Sequence, residues 1–595
     1  MDNIFKINAA EQLAEATRKA FPESISAIGE SLNIKDSDLA DFFASKLEIP
    51  RDAKMGDYAF PTFILAKVLK KKPPEIANLI FRNLDSSRFS LAGPYINLNL
   101  SPEETASEIL PEIFSQRKNY ASQQIGNGKS VVIDFSSPNI AKPFGVGHLR
   151  STAIGNSLYR LYEKLGYKVI GINHLGDWGT QFGKLITAYR RWGNKVELNN
   201  NPIKYLYDLY VKFHEQEAME DASGIDIGLE EEARDWFKKL EDGDDEAIIL
   251  WQGFKDYSLM EFKRIYDLLG VYFDHYTGES FYNDKMDAVI ERLSQAGLTS
   301  ESQGALIVDL SEHGLNPCLL RKGDGATLYA TRDLAGIFYR HDTYKFEKAL
   351  YVVGSAQQDH FKQVFKVVEM LGESFARNLV HVEFGWIRFK DQAMSTRKGN
   401  IIFLDDVIDT AEDRVKKIMM EKNPDLPNLE QTARQVGIGA VIFADLGVKR
   451  HKDVNFSWEE VLNFEGETGP YLQYTHARLC ALKRKYGKDI TANVDYSKYI
   501  SREEKALALH LYRFGEIVEL AADKYEPNFI AEYLIGLATV FNRFYQRKGE
   551  SGRLIKIIDD SAPDETASRM LLVDCVRIVL KEGLYLLGIE APDEM

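Results

Sequence analysis

Apolar and polar positions change rhythm several times along the chain, and each change marks a different kind of element. Near the amino terminus apolar residues recur at helical spacing until Pro94-Tyr-Ile-Asn-Leu-Asn-Leu100, whose alternation suits a half-buried strand. Residues 1–112 therefore read as a small α/β domain. The stretch 113–130 is polar, carries Gly126 and Gly128 and has no periodicity, which is the pattern of a linker. From Val131 onward short β-branched runs at 131–135, 168–173, 350–354 and 381–386 alternate with helical stretches. That order predicts an α/β catalytic domain over 131–405 built on a doubly wound, parallel, Rossmann-like sheet. Within it, about 194–302 is charged, helix-like and too long for a crossover, so it reads as a helical insertion. A hairpin follows, with Ala305-Leu-Ile-Val-Asp-Leu310 as a strand and Lys322-Gly-Asp-Gly325 as turn chemistry. Beyond Leu404 strand signals almost vanish, leaving a helical connecting region at 406–465 and a helical bundle at 466–595.

Composition narrows the class. A chain of 595 residues is too long for one core, and 45% hydrophobic with 27% charged residues is the mixture of ordinary globular domains, not of disordered or fibrous chains. No run of some 18 uncharged apolar residues occurs, and Asp2, Asn3 and Lys6 stand where an export signal would be apolar. The expectation is a cytoplasmic protein with no membrane partner. Cys318, Cys480 and Cys575 are far apart and form no C-x-x-C pair, so they read as reduced core residues. The eleven histidines form no H-E-x-x-H and no histidine–cysteine grouping, so no protein-bound metal, zinc in particular, is expected. A formal charge of −15 argues against a general polyanion binder such as a DNA-coating protein, and any basic surface has to be local.

Candidate chemistry concentrates in two places. Asp134-Phe-Ser-Ser-Pro-Asn-Ile-Ala-Lys-Pro-Phe-Gly-Val-Gly-His-Leu-Arg-Ser151 runs from a predicted strand to a predicted helix, where a doubly wound sheet binds ligands and a helix amino terminus favours phosphate. Gly145 and Gly147 either permit close approach of a nucleotide or serve as plain turn chemistry. His148 is placed to donate a hydrogen bond to phosphate or substrate. The second place, Ala393-Met-Ser-Thr-Arg-Lys-Gly-Asn400, is a basic loop after the last predicted strand of the sheet, and Arg397 and Lys398 suit a leaving pyrophosphate. Trp178 reads equally as core packing or as a border of the nucleotide pocket.

Asn139-Ile-Ala-Lys-Pro-Phe-Gly-Val-Gly-His-Leu-Arg-Ser-Thr152 resembles the HIGH signature as it occurs in arginyl-tRNA synthetases, and Met394-Ser-Thr-Arg-Lys-Gly399 resembles their KMSKS loop. Further matches at 56–60, 173–183, 328–333 and 466–474 spread the resemblance over nearly the whole chain. It implies a class I ligase that activates arginine with ATP, delivered with Mg2+, and transfers it to tRNA; a monomer is expected. It also implies ATP contacts from Gly145, Gly147, His148, Met394 and Ser395, and charge stabilisation from Lys142, His148, Arg397 and Lys398. Lys142 then stands in for the second lysine that the loop lacks. Around the amino acid the resemblance places Asp134, Ser137, Asn139, His148, Tyr329, Asp333 and Gln357, with Gln358 as the neighbouring alternative to Gln357. Two positions depart from the family pattern: Gly145 stands where the signature has its first histidine, and Asp134 where the family has glutamate. Asp333 also has a plainer reading, as a partner of Arg332 or a helix cap. The bundle resembles an anticodon-binding domain, and residues 1–112 the domain that touches the outer corner of tRNA. Lys449, Arg450, Tyr471, Tyr474 and Arg478 are the candidate tRNA contacts, by charge and by capacity to stack on bases.

Overall fold

The computed structural model describes residues 3–50, 52, 55–223, 227–323, 328–389, 402–549, 552 and 554–595. The chain divides into two compact units. The first comprises residues 1–116, 489–512 and 540–575. Its opening helix, Ile4–Ala20, is capped by Asn3, whose side chain accepts the Lys6 N–H at 3.1 Å. Three antiparallel strands pair with Tyr95–Leu98 in the middle, flanked by Tyr58–Pro61 and Phe89–Ala92. The helix Arg502–Tyr512 belongs to the same unit. Lys505 Nζ reaches Asp57 Oδ2 at 2.7 Å and the Leu100 carbonyl at 2.9 Å, and the Ile4 N–H donates to the Tyr512 hydroxyl at 2.8 Å. Residues from the stretch expected as a helical bundle, 466–595, fall in both units.

The second unit comprises residues 117–488, 513–539 and 576–595. Its centre is a four-stranded, all-parallel sheet in the spatial order Leu379–His381, Lys348–Tyr351, Ser130–Asp134, Lys168–Ile172. Val131, Val132 and Ile133 are all buried, as a strand covered on both faces requires. The first strand in sequence, Ser130–Asp134, lies inside the sheet, so strand order reverses beside it and opens a crevice at its carboxyl end. Asp134 is the last residue of that strand. The helix Val146–Lys164 returns from this crevice across the sheet. A Cβ on Gly155 would sit 2.3 Å from the Phe135 side chain, so helix and strand touch there with no side chain between. Gly155→Ala is expected to destabilise the protein by about 1–3 kcal/mol through overpacking, read as a lower midpoint in thermal unfolding.

Five helices, Thr180–Trp192, Lys195–Asn200, Pro202–Ser223, Leu229–Glu241 and Asp245–Leu269, follow the second strand of the parallel sheet. Next comes a three-stranded antiparallel sheet with Ala305–Val308 between Thr299–Ser302 and Cys318–Arg321. The strand expected at 381–386 is in fact two: Leu379–His381 joins the main sheet, and Ile387–Phe389 pairs in parallel with Val454–Phe456. Val454–Phe456 lies where helices alone were expected; a three-residue run is too short to carry a period. Among the described residues, no helix is long and apolar enough to cross a membrane.

Candidate active site

The loop after Ser130–Asp134 is held in an unusual conformation. Ser136, Ser137 and Ala141 have φ of 71°, 48° and 58°, a left-handed region that costs a non-glycine residue of order 1 kcal/mol or more. Hydrogen bonds hold it there. The Ser136 N–H donates to Ser151 Oγ at 2.8 Å, Ser136 Oγ meets the Tyr266 hydroxyl at 2.8 Å, and the Ala141 N–H donates to Ser258 Oγ at 2.8 Å. Asn139 is braced against Gly176, where a Cβ would fall 1.9 Å from the Asn139 Oδ1. Ser137 and Asn139 keep half-buried side chains in the crevice.

His148 occupies the first turn of Val146–Lys164, with Gly145 as N-cap. The Gly145 N–H donates to His148 Nδ1 at 3.2 Å, so the ring carries its proton on Nε2. Desolvation in the crevice lowers its pKa to about 4, with the Lys142 cation acting in the same direction. His148 is therefore a neutral Nε2–H donor near pH 7 and needs no titration to serve. Lys142 is close enough to contribute to that shift, and its Nζ lies over the Tyr210 ring, 5.0 Å from the centroid. The expected basic-loop residues Met394, Ser395, Arg397 and Lys398 lie outside the described residues. On its far side, the Val146 N–H donates to the Ile402 carbonyl at 3.1 Å, and the Leu404 N–H to the Phe144 carbonyl at 3.0 Å. The stretch 402–404 is thus stitched to the segment just before His148.

Tyr329 and Asp333 stand one turn apart on one face of the helix Tyr329–Tyr344, with Tyr329 well exposed. Asp333 neither caps the helix nor pairs with Arg332. Its Oδ2 accepts from His360 Nε2 at 2.6 Å, leaving Oδ1 for another donor. Arg332 instead reaches Asn283 Oδ1 at 3.3 Å and lies 3.9 Å from Glu279 Oε2. Glu279 was not anticipated. Burial pushes its carboxyl up to about 7, Arg332 opposes, and the Asp177 and Asp333 carboxylates add to the rise. Asp333 and Glu279 are thus near enough to repel, each with one cationic or potentially cationic partner, His360 and Arg332. His360 and Glu279 had no sequence signal of their own beyond residue type, since only folding sets them against Asp333.

Asp134 departs from expectation. Its carboxylate is buried, paired with Arg340 Nη1 at 2.7 Å and accepting from Ser137 Oγ at 3.0 Å. These contacts brace the strained loop from the end of the strand. Gln358 is also spoken for, donating to Glu383 Oε2 at 3.0 Å, while Gln357 is exposed at the end of the turn Ser355–Gln357. Asp177 is fully buried, bonded to Lys255 Nζ at 2.6 Å and to Ser280 N–H and Oγ at 2.8 and 2.7 Å. Trp178 packs edge-on to Phe237 and Trp251. Both are internal braces of the helical insertion.

Of the candidate tRNA contacts, Lys449 and Tyr474 are exposed, and Tyr471 and Arg478 are half-buried on the same helix as Tyr474, Gly469–Tyr486. Arg450 is half-buried: its guanidinium donates to the Glu383 carbonyl and its N–H to Glu526 Oε1 at 3.0 Å, so it also braces the framework. The fold also brings His476, Cys480 and Asp593 within 4.8 Å, a grouping the sequence reading passed over. There His476 Nδ1 bonds the Pro592 carbonyl at 2.9 Å and Asp593 lies 3.9 Å from Lys581 Nζ, so the trio fastens the end of the chain amid positive charge.

A parallel sheet whose reversal point carries a strand–loop–helix with a neutral histidine donor is here the frame of a class I aminoacyl-tRNA synthetase catalytic domain. The family model described as tRNA synthetases class I (R), catalytic domain, matches residues 109–458. The arginyl tRNA synthetase N terminal domain matches 8–100, and the DALR anticodon binding domain 472–595. The arginine–tRNA ligase of Clostridium perfringens is 47% identical over 553 residues, covering 92% of this chain and 96% of that one. The Pediococcus pentosaceus ligase is 48% identical over 555 residues, with 92% and 95% covered. Among solved structures, the Thermus thermophilus arginyl-tRNA synthetase superposes with a TM-score of 0.78 at 26% identity, over 96% of this chain and 99% of that one. The chain belongs to the arginyl-tRNA synthetase family.

Proposed function

We propose that the chain joins L-arginine to the 3′-terminal adenosine of tRNA(Arg) in two steps. The arginine carboxylate attacks the α-phosphate of ATP in line, giving arginyl-adenylate and releasing pyrophosphate; the tRNA hydroxyl then takes the arginyl group and releases AMP. No covalent protein intermediate is needed, so positioning and charge stabilisation carry the rate. The observation that supports this reading is Asp333, aimed by His360 and one turn from the exposed Tyr329, together with the neutral His148 donor at the start of Val146–Lys164. A guanidinium is a permanent cation with five donors, and Asp333 Oδ1 with the Glu279 carboxyl offers acceptors for it, beside the exposed ring of Tyr329. Ser137, Asn139 and His148 hold the α-amino and carboxylate end, Gln357 closes the pocket, and Lys142 with Arg397 and Lys398 meets the phosphates. Mg2+ arrives with ATP and neutralises phosphate charge. Residues 1–112 and the helices beyond 466 bind tRNA, with Lys449, Tyr471, Tyr474 and Arg478 as contacts, and the protein acts as a monomer in the cytoplasm.

The test is charging of total tRNA with each of the twenty amino acids, ATP and Mg2+. Arginine alone is expected to be incorporated; incorporation of another amino acid, or of none, rejects the reading. The carboxyl of Glu279 adds a pH signature. Protonated below about 7 it loses its attraction for guanidinium, which stays charged throughout, and above 7 it is ionised. KM for arginine is expected to rise as pH falls from 8 to 6, and Glu279→Gln to flatten that dependence.

A further inference from the structure

Two residues beyond His148, Arg150 turns away from the crevice into the interior, where it is 1% exposed. Its Nε donates to Asp445 Oδ1 at 2.6 Å and its Nη1 to the Lys452 carbonyl at 2.8 Å. Asp445 is 2% exposed and sits in the last turn of the helix Leu429–Leu446. Lys452 leads directly into Asp453 and the strand Val454–Phe456. That short stretch is the support for residues 385–389. The Gly385 N–H donates to the Arg450 carbonyl at 2.9 Å, the Trp386 N–H to Asp453 Oδ1 at 2.9 Å, Arg388 Nε to Asp453 Oδ2 at 2.9 Å, and the Val454 N–H to the Trp386 carbonyl at 2.8 Å. In the chain, residues 385–389 run straight on to 394–398, the basic signature. One side chain in the opening turns of the His148 helix therefore grips the platform beneath the strand that feeds the other signature.

We propose that Arg150 is a positioning residue for adenylate formation, fixing the spacing of the His148 helix and residues 385–389 through Asp445 and the Lys452 carbonyl. The proposal rests on the activity proposed above. Stability alone is a poor reason for such a pair. Desolvation of two buried charges offsets their attraction, and well-packed apolar replacements are often neutral or stabilising. Direction is what the pair supplies: a planar guanidinium aims two N–H groups at two acceptors on different segments, which neither an apolar side chain nor the point charge of lysine reproduces. In-line transfer is sensitive to such spacing, since a misplacement of about 1 Å can lower the rate by about 10²-fold.

The experiment replaces both partners at once, Arg150→Met with Asp445→Leu, in the full-length protein. Arginine-dependent ATP–pyrophosphate exchange is measured with tRNA present, beside thermal unfolding. The expected result is an unfolding midpoint close to that of the parent, kcat lower by about 10²-fold, and KM for arginine changed by no more than about twofold. Arg150→Lys, which keeps the charge and loses the fork, is expected to fall between the two. A folded double variant with the parent kcat overturns the proposal, as does a loss confined to KM for arginine. If the double variant does not fold, Arg150→Lys decides, and a parental kcat there overturns it equally. Absence of arginine-dependent exchange in the unaltered protein would instead reject the proposed activity itself.

Discussion

Asp333→Asn is expected to lower kcat/KM for arginine by about 10³-fold and to erase most of the preference for arginine over citrulline, its neutral isostere. A hydrogen-bonded charge pair in a partly desolvated site typically loses 2–5 kcal/mol when one charge is removed. Most of that appears here as discrimination, because the isostere keeps shape and loses only the cation. His360 donates to one Asp333 oxygen and so aims the other. With the carboxylate gone, Glu279 is relieved of one lesser like-charge contribution, while burial still holds its carboxyl high. Competition between the two substrates in the exchange assay measures the effect directly. An undiminished preference for arginine would remove Asp333 from the pocket.

Lys142→Ala is expected to slow adenylate formation by about 10²- to 10³-fold, the range found when one well-aimed charge or donor is taken from a transition state. The reason is local. Lys142 is near enough to His148 to oppose its protonation, so both face the same part of the crevice. One brings a full positive charge and the other a neutral N–H. Single-turnover formation of arginyl-adenylate separates this loss from tRNA transfer. A rate close to that of the parent would mean that the Tyr210 contact of Lys142 is structural packing only.

The strand–loop–helix from Asp134 to Ser151 could be read from the chain because its signals are local: β-branched residues for a buried strand, glycines at a turn, and a helix beginning at once. Ser137, Asn139, Lys142 and His148 share that segment, so any fold that forms it brings them together. Tyr329 and Asp333 were legible only through the resemblance of 328–333 to a family motif, and the structure sets both on one helix face. Pairings across the sequence were not legible. Asp134 carries the residue type of a substrate carboxylate, yet Arg340 on a distant helix claims it. Arg450 carries the type of a nucleic-acid contact, yet the Glu383 carbonyl and Glu526 also hold it.

Sequence by itself therefore determined the family, the parallel α/β class and the local frame of the nucleotide site, all of which depend on periodicity and on contiguous motifs. Tertiary structure alone decided that Arg340 pairs with Asp134, His360 with Asp333 and Arg332 with Glu279, and that Arg150 reaches the Lys452 carbonyl. A charged side chain advertises only its capacity to pair. Its partner is settled by which distant segment packing brings within about 3 Å, because buried charges are rarely tolerated without a partner.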